Sequence, residues 1–208
     1  DFAKRAQPTS IVDLAAITSI YRPGPLSAGV DKQYIAAVNN SAKIKYIHPL
    51  IKEVTEETYG FLIFQEQIAM LAYKLGKDIT MDEANLLRKV LTKKGTGKGH
   101  EVKEKIKKKF IIGCLEKGVS EQEAEELWAT FEYFSGYGFN KSHAISYSII
   151  SFQCAYLYHN HPVEWMCAFL DREPDTRKEK AINIAKSHGF SIRPIDINNS
   201  GENWEAHG

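Results

Sequence analysis

The segment Gly136–Tyr147, with the sequence GYGFNKSHAISY, constrains the fold most, because it places a glycine-containing turn directly before a long apolar run. Gly136 and Gly138 permit positive φ angles and close approach of neighbouring backbone. Asn140 or Ser142 can cap the helix that the apolar run predicts. Since that helix is apolar on most sides, we expect it to be central and buried.

The start of this helix can serve as an anion site. The first turn of a helix carries unpaired N–H groups and the positive end of the helix dipole, and both favour a group such as phosphate. Lys141 adds a point charge there, and His143 adds a second donor. A turn that caps a core helix without any ligand is the structural alternative, and this segment alone does not separate the two.

The rest of the chain also carries the signals of helices. Capping boxes, in which a Ser or Thr precedes an Asp or Glu by three residues, mark further helix starts. They are Ser10 with Asp13, Thr80 with Glu83, and Ser120 with Glu123. The expected architecture is mainly α: a multi-helix domain with irregular loops over residues 1–190, and an extended tail over residues 191–208 that leads towards a following domain.

Composition excludes several classes of protein. With 208 residues the chain can bury a sizeable core, and its formal net charge of +1 says little about partners. Three widely spaced cysteines (Cys114, Cys154 and Cys167) and the lack of an 18-residue apolar run predict a cytoplasmic protein without a membrane segment. No metal site is predicted, because His159 and His161 satisfy no zinc spacing with Cys167. No Ser/His/Asp, Cys/His or DxD pattern marks a catalytic residue.

Positive charge is concentrated in one stretch. Residues 88–109 hold nine lysines and one arginine against two glutamates, a local balance of +8. Such crowding is repulsive unless a polyanion neutralises it, so DNA is an expected partner and Lys93, Lys94 and Lys98 are candidate DNA contacts. A solvated helix face is the alternative. Arg22, beside a proline-rich turn, is a further candidate DNA contact or an anchor for the turn itself.

Three polar residues, Gln65, Glu66 and Gln67, interrupt an otherwise apolar segment. Polar side chains that become buried need hydrogen-bond partners. We therefore predict a structural hydrogen-bond network within the fold, with contact to a substrate as the alternative.

Five motifs occur in one order along the chain. They are RPGPL (Arg22–Leu26), YGFLIFQEQ (Tyr59–Gln67), NLLRKVLTKK (Asn85–Lys94), GYGFNKSHAISY (Gly136–Tyr147) and IRPIDIN (Ile192–Asn198). Over nearly all of the chain this set resembles the fingers region of the bacterial DNA polymerase III alpha subunit, a C-family replicative polymerase. The resemblance implies a helical fingers region that binds the incoming deoxynucleoside triphosphate.

The matching motifs also imply which residues contact the nucleotide. These are four basic residues and one amide: Arg88, Lys89, Lys141, His143 and Asn140. We expect the cationic side chains of positions 88–89 and 141–143 to line one pocket shaped for polyphosphate. There they would position the triphosphate and neutralise charge during phosphoryl transfer.

One motif departs from the family pattern. The family usually reads LRRAMGKK where Leu87–Lys94 reads LRKVLTKK, so Lys89 replaces the second arginine and Thr92 replaces the glycine. Lysine keeps the positive charge but lacks the planar fork of arginine. A phosphate contact at position 89 would therefore remain attractive but would not be bidentate.

The resemblance further implies template-directed DNA synthesis. Its partners would be primer-template DNA, deoxynucleoside triphosphates, the palm domain and other replisome subunits. In this family palm aspartates hold two Mg²⁺ ions for the chemistry, and no such aspartate motif occurs here. We therefore expect part of a longer enzyme that is inactive alone. A non-catalytic nucleic-acid-binding helical module and a helical protein-interaction scaffold are the alternatives.

Overall fold

The computed structural model describes residues 2–92, 97–135 and 138–206. The described residues form twelve α-helices: α1 (Phe2–Ala6), α2 (Ile11–Ile20), α3 (Pro23–Ser27), α4 (Val30–Asn39), α5 (Pro49–Thr55), α6 (Gln65–Leu75), α7 (Met81–Thr92), α8 (Gly97–Glu116), α9 (Glu121–Ser135), α10 (Lys141–Asn160), α11 (Pro162–Arg172) and α12 (Asp175–Ser187). Short 3₁₀ helices lie at Ser41–Lys43 and Glu56–Thr58. The prediction of a mainly α fold is confirmed.

The predicted helix starts lie where the capping boxes placed them. The Asp13 N–H donates to Ser10 Oγ at 3.0 Å, and the Ser10 N–H donates to Asp13 Oδ2 at 3.0 Å, just before α2. The same pair of reciprocal bonds precedes α7 and α9. Each box satisfies two N–H groups that a bare helix start would leave without partners.

The chain divides into two compact units, Asp1–Ile149 and Ile150–Gly208, and the division falls within α10. The first unit holds two hydrophobic clusters and the second holds one. The boundary that the sequence suggested, between residues 190 and 191, stays a prediction.

The larger cluster of the first unit joins α6, α7, α8 and α9. Phe110, Trp128 and Phe131 are fully buried, and their ring centroids lie 5.1 to 5.8 Å apart, a range typical of favourable aromatic pairs. Leu87 of α7 is buried in the same cluster. The packing of Leu87 therefore holds its neighbour Arg88 at a defined position beside α6.

Helix α8 crosses the end of α6 with backbone almost touching backbone. The Lys77 N–H, just after α6, donates to the Lys109 carbonyl oxygen at 2.9 Å. One turn further along α8, a Cβ atom added to Gly113 would lie 2.3 Å from the Leu75 carbonyl oxygen and from the Gly76 carbonyl carbon. Only glycine fits at this crossing.

The smaller cluster of the first unit surrounds Tyr34, which is fully buried. The Tyr34 ring lies edge-on to Tyr59 and Phe61, with centroids 5.6 and 5.8 Å away. Phe64, at the start of α6, and Ala144, in the first turn of α10, are buried in the same cluster. Hydrophobic packing therefore brings the starts of α6 and α10 together.

The second unit has a small core between α11 and α12, made of Met166, Leu170, Ala181 and Ala185. Residues 190–206 contain turns and irregular backbone, as expected for the tail. The Trp204 N–H donates to Asp171 Oδ1 at 2.9 Å, which ties the tail to α11. A cavity of about 530 Å³ lies between the tail and α11.

The expectation that α10 is a central, buried helix is wrong. Ile150, Phe152 and Tyr156 are 53 to 55% exposed, whereas Ala144 and Ser148 are the buried residues of this helix among those described. Its apolar residues surround the helix, and the described chain covers only a narrow stripe of it. Among the described helices none is both long and apolar enough to span a membrane, α10 included.

Cys114 of α8 is expected to resist alkylation in the folded protein. It is fully buried, and burial raises the pKa of its thiol to about 11, so little of the reactive thiolate exists at pH 8. Iodoacetamide treatment at pH 8, followed by peptide mapping, should label Cys114 only after denaturation. Cys154, which is partly exposed, is the internal control. Equal labelling rates for the two thiols in the native state would contradict the burial of Cys114.

Candidate nucleotide-binding site

Two of the five motifs meet through their backbones. The Gln65 N–H donates to the Phe139 carbonyl oxygen at 3.0 Å, and the Phe139 N–H donates to the Ile63 carbonyl oxygen at 3.0 Å. These bonds make the isolated parallel bridge between Phe64 and Phe139. The side chain of Gln65 adds a third link, because its Nε2 donates to the Gly138 carbonyl oxygen at 3.0 Å. The turn before α10 is thereby fixed against the start of α6.

Gln67 supports this junction from inside the fold. Its Oε1 accepts the N–H groups of Ile63 and Phe64 at 2.9 Å each. Its Nε2 donates to the Val54 carbonyl oxygen at 3.2 Å and to Thr58 Oγ1 at 2.7 Å. A buried amide with all these bonds made stabilises one backbone arrangement. The predicted structural network is confirmed for Gln67.

Glu66 lies between α7 and the start of α10. Its Oε1 accepts Asn140 Nδ2 at 3.0 Å, and its Oε2 accepts the Lys141 N–H at 2.9 Å. Arg88 Nη1 is 3.5 Å from Glu66 Oε1 and 3.4 Å from Gln65 Oε1. One carboxylate thus contacts three residues that the sequence assigned to nucleotide binding.

Asn140 caps α10, as the sequence predicted. Its Oδ1 accepts the His143 N–H at 2.9 Å and the Ser142 hydroxyl at 2.6 Å. Because Glu66 accepts the Lys141 N–H, side-chain oxygens from the protein already engage donors in this first turn. An anion at this turn would therefore depend more on the cations around the turn than on its N–H groups.

The ammonium group of Lys141 faces Glu57 and Phe64. It forms an ion pair with the Glu57 carboxylate, and Nζ lies 5.6 Å from the centroid of the Phe64 ring. The side chains of Lys141 and Glu57 are 33% and 37% exposed, so the pair is open to solvent. Exposed ion pairs contribute about 0–1 kcal/mol. A more highly charged anion can therefore replace Glu57 at little cost.

Phe139 brings two further predicted residues to the same turn. The Arg22 guanidinium lies 5.1 Å from the centroid of the Phe139 ring, a cation–π contact. The ring of His143, an exposed residue, has its centroid 5.6 Å from Phe139 and 4.5 Å from Tyr147. Arg22 and His143 thus both contact the residue that precedes Asn140.

The structure brings together some of the predicted site residues but not all of them. Arg88, Asn140 and Lys141 meet around Glu66, and the common polyphosphate pocket stays a prediction. Lys89 is exposed on α7 beside Arg88. Lys98 belongs to the first turn of α8. Lys93, Lys94 and Gly136 lie outside the described residues.

Sequence reasoning did not assign Glu57, Glu66 or Phe139 to the site. Glu66 had a partial signal, because it belongs to the polar run Gln65–Gln67 within an apolar segment. Phe139 lies in the Gly136–Tyr147 motif, but its contact with Arg22 is not visible in sequence. Glu57 had no signal, because its partner Lys141 is distant in sequence.

The basic stretch is less unbalanced than its sequence suggests. Lys103 pairs with Glu132 at 3.1 Å and Lys107 with Glu125 at 2.8 Å, both across to α9. Lys109 donates to both carboxylate oxygens of Glu83 at 2.8 and 2.9 Å, and this bond lowers the pKa of Glu83. The expectation of uncompensated charge is therefore wrong for these three lysines, because helices distant in sequence supply the counter-charges.

The described residues contain no group of three or more His, Cys, Asp or Glu side chains placed to hold a metal ion. Both oxygens of Glu66 accept hydrogen bonds from protein donors. The cations Arg88 and Lys141 beside these carboxylates suit the binding of an anion.

Comparison with known proteins gives relatives over nearly the whole chain. The chain is 40% identical over 199 residues to the DNA polymerase III subunit alpha of Borreliella burgdorferi, covering 95% of this chain and 17% of the relative. It is 36% identical over 214 residues to that of Mycobacterium tuberculosis, covering 100% and 18%. It is 36% identical over 201 residues to that of Aquifex aeolicus, covering 96% and 17%. The chain thus spans about a sixth of the length of these relatives.

A family model agrees with these relatives. The model described as the bacterial DNA polymerase III alpha subunit finger domain matches residues 1–118, more than half of the 208. The matched range contains α1 to α8, including Glu66 and Arg88. The resemblance carried by the five motifs is confirmed, and the chain belongs to the family of the bacterial DNA polymerase III alpha subunit finger domain.

Proposed function

We propose that this chain is the fingers part of a cytoplasmic replicative DNA polymerase and binds the incoming deoxynucleoside triphosphate during template-directed synthesis. The observation that carries the proposal is the meeting of Arg88, Asn140 and Lys141 around one carboxylate at the start of α10. Asn140 and Lys141 lie 52 and 53 residues beyond Arg88 in sequence, so the fold and not chain proximity brings the three together.

The chemistry of these residues suits a triphosphate. Arginine presents a planar fork that matches phosphate oxygens, and lysine adds a mobile point charge. Held on separate helices, the two cations can contact different phosphate groups and orient them. Nucleotidyl transfer depends mainly on such positioning and on charge stabilisation. The Mg²⁺ ions of the reaction would be held by palm residues outside this chain.

Primer-template DNA would be the second ligand. Arg22, Lys93, Lys94 and Lys98 are the proposed DNA contacts, and the palm domain and other replisome subunits are the proposed protein partners. The pairing of Lys103, Lys107 and Lys109 with glutamates leaves less free charge for a general polyanion surface. That pairing favours a polymerase part over a non-catalytic nucleic-acid-binding module.

Lys141→Ala tests the proposal in the full-length polymerase subunit. The loss of one charged phosphate contact is expected to raise the KM for deoxynucleoside triphosphate at least about tenfold. Steady-state extension of a fixed primer-template at varied nucleotide concentration measures this change. The affinity for primer-template DNA should stay within about twofold.

Glu57→Gln is the matched control. It removes the ion-pair partner of Lys141 and keeps the lysine, so the KM should stay equal or fall by up to about fivefold. A Lys141→Ala enzyme with the nucleotide KM of the parent would remove Lys141 from the site, and the same result in Arg88→Ala as well would contradict the proposed function.

A further inference from the structure

We infer that Glu66 is a positioning residue for nucleotide binding, whose carboxylate holds Arg88 and the first turn of α10 in a fixed relation. This inference rests on the proposed function. It concerns an acidic residue that does not itself attract a triphosphate. Its contribution would be to orient the groups that do.

The contacts of Glu66 reach two helices at once. The residue is the second of α6, where the helix dipole favours a negative charge. Its two oxygens accept Asn140 Nδ2 at 3.0 Å and the Lys141 N–H at 2.9 Å, and Oε1 lies 3.5 Å from Arg88 Nη1. A bond to a backbone N–H fixes the helix start itself. Glu66 therefore links Arg88 directly to the first turn of α10, beside the contacts of Gln65 to Arg88 and to the Gly138 carbonyl oxygen.

Glu66 also determines which way the Asn140 amide points. Because Nδ2 faces the Glu66 carboxylate, Oδ1 faces the His143 N–H and caps α10. A glutamine at position 66 would offer one acceptor and one donor, whereas a carboxylate offers two acceptors. One of the two donors, Asn140 Nδ2 or the Lys141 N–H, would then face another donor. Rotation of the Asn140 amide by half a turn would remove the donor–donor contact at Nδ2, but Oδ1 would then no longer accept the His143 N–H, and α10 would lose its cap.

The opposite role is conceivable for a carboxylate beside Arg88. If Glu66 competes with phosphate for the guanidinium, its neutralisation should tighten nucleotide binding. A positioning role predicts the reverse, because the loss of orientation weakens binding even though a negative charge is removed. The direction of the change in KM therefore separates the two roles.

The experiment compares Glu66→Gln, Glu66→Asp and Glu53→Gln in the full-length subunit. Glu66→Gln is expected to raise the nucleotide KM about tenfold with a primer-template Kd within about twofold of the parent. Glu66→Asp keeps both acceptors and the charge but withdraws the carboxylate by one methylene group, so we expect a smaller rise, of about threefold. Glu53 of α5, which pairs at 3.0 Å with Lys74 near the other end of α6, supplies the control, and Glu53→Gln should leave the KM unchanged.

A double-mutant cycle with Arg88→Ala tests whether Glu66 affects the nucleotide KM through Arg88. If Glu66 acts partly by orienting Arg88, Glu66→Gln should raise the KM less in the Arg88→Ala background than in the parent. If the two substitutions raise the KM independently, so that the two factors multiply in the double variant, Glu66 does not act through Arg88. If Glu66→Gln fails to fold, Glu66→Asp provides the test, because a KM equal to that of the parent in that variant would overturn the inference.

The remaining outcomes separate this inference from the proposed function. An unchanged or lowered KM in Glu66→Gln, with a raised KM in Lys141→Ala, would overturn the positioning role and leave the nucleotide site standing. Parental KM values in both Lys141→Ala and Arg88→Ala would overturn the proposed function itself.

Discussion

Gly113→Ala is expected to destabilise the first unit by about 3 kcal/mol, the upper part of the range for overpacked cores. A Cβ atom there would lie 2.3 Å from backbone atoms at the end of α6, and backbone cannot rotate away as a side chain can. Alanine is better than glycine within a helix by about 1 kcal/mol. At a solvent-facing helical position the alanine variant would be more stable than the parent. A loss of stability in Gly113→Ala would therefore indicate the close crossing of α8 and α6.

Urea unfolding followed by circular dichroism measures this loss as a lower midpoint at an unchanged slope. Gly118→Ala is the matched control. A Cβ atom at Gly118 meets nothing within 4 Å, but the residue has a φ of +82°. Its replacement should cost about 1–2 kcal/mol of backbone strain without any steric clash. A Gly113→Ala variant as stable as the parent would show that α6 and α8 do not approach this closely.

Arg88→Ala is expected to give the largest functional effect, a rise of about 100-fold in the KM for deoxynucleoside triphosphate. The guanidinium is held beside Gln65 and Glu66 at 3.4 and 3.5 Å, so its direction is set before a nucleotide arrives. A pre-oriented group loses little conformational entropy when it binds its ligand. Primer extension at varied nucleotide concentration, with a separate measurement of DNA affinity, gives the comparison.

Arg88→Lys and Lys74→Ala complete this comparison. Lysine keeps the charge at position 88 but loses the fork, so a rise of about tenfold is expected. Lys74 of α6 pairs with Glu53 of α5, and its removal should leave the KM unchanged. The fold should survive Arg88→Ala, because Glu66 keeps its hydrogen bonds to Asn140 and Lys141. A KM within about twofold of the parent would remove Arg88 from the site.

Local features of the fold could be predicted from the sequence because their partners lie within one helical turn. Ser10 and Asp13 form hydrogen bonds with each other three residues apart. Asn140 caps α10 over the same spacing, because its Oδ1 accepts the His143 N–H. Periodic apolar residues located the helices for a similar reason. Such signals depend on neighbouring residues, so a single sequence contains them in full.

Features that depend on distant residues could not be predicted in this way. Glu66 bonds Asn140 and Lys141 across 74 and 75 residues, and no local pattern indicates that contact. The family resemblance identified Arg88, Asn140 and Lys141 as cationic or polar ligands but gave no reason to single out the carboxylate between them. The close crossing at Gly113 is equally invisible in sequence, because a glycine within a helix has many explanations.

The burial of α10 failed as a prediction for a related reason. An apolar helix is buried only where other elements cover it, and composition does not tell whether those elements belong to the same segment. The described residues cover Ala144 and Ser148 and leave Phe152 and Tyr156 largely exposed. Since the curated relatives are about six times longer than the matched region, most of their potential covering surface lies outside it.

The long-range contacts of Glu66 have a consequence for the order of events during protein synthesis. Lys141 is translated 75 residues after Glu66, which at 5–20 residues per second corresponds to roughly 4 to 15 s. Arg88 emerges from the ribosome early in that interval, so it can pair with Glu66 while α10 does not yet exist. The proposed nucleotide-binding arrangement can therefore be completed only after Lys141 has been synthesised, when the contact between Arg88 and Glu66 can already exist.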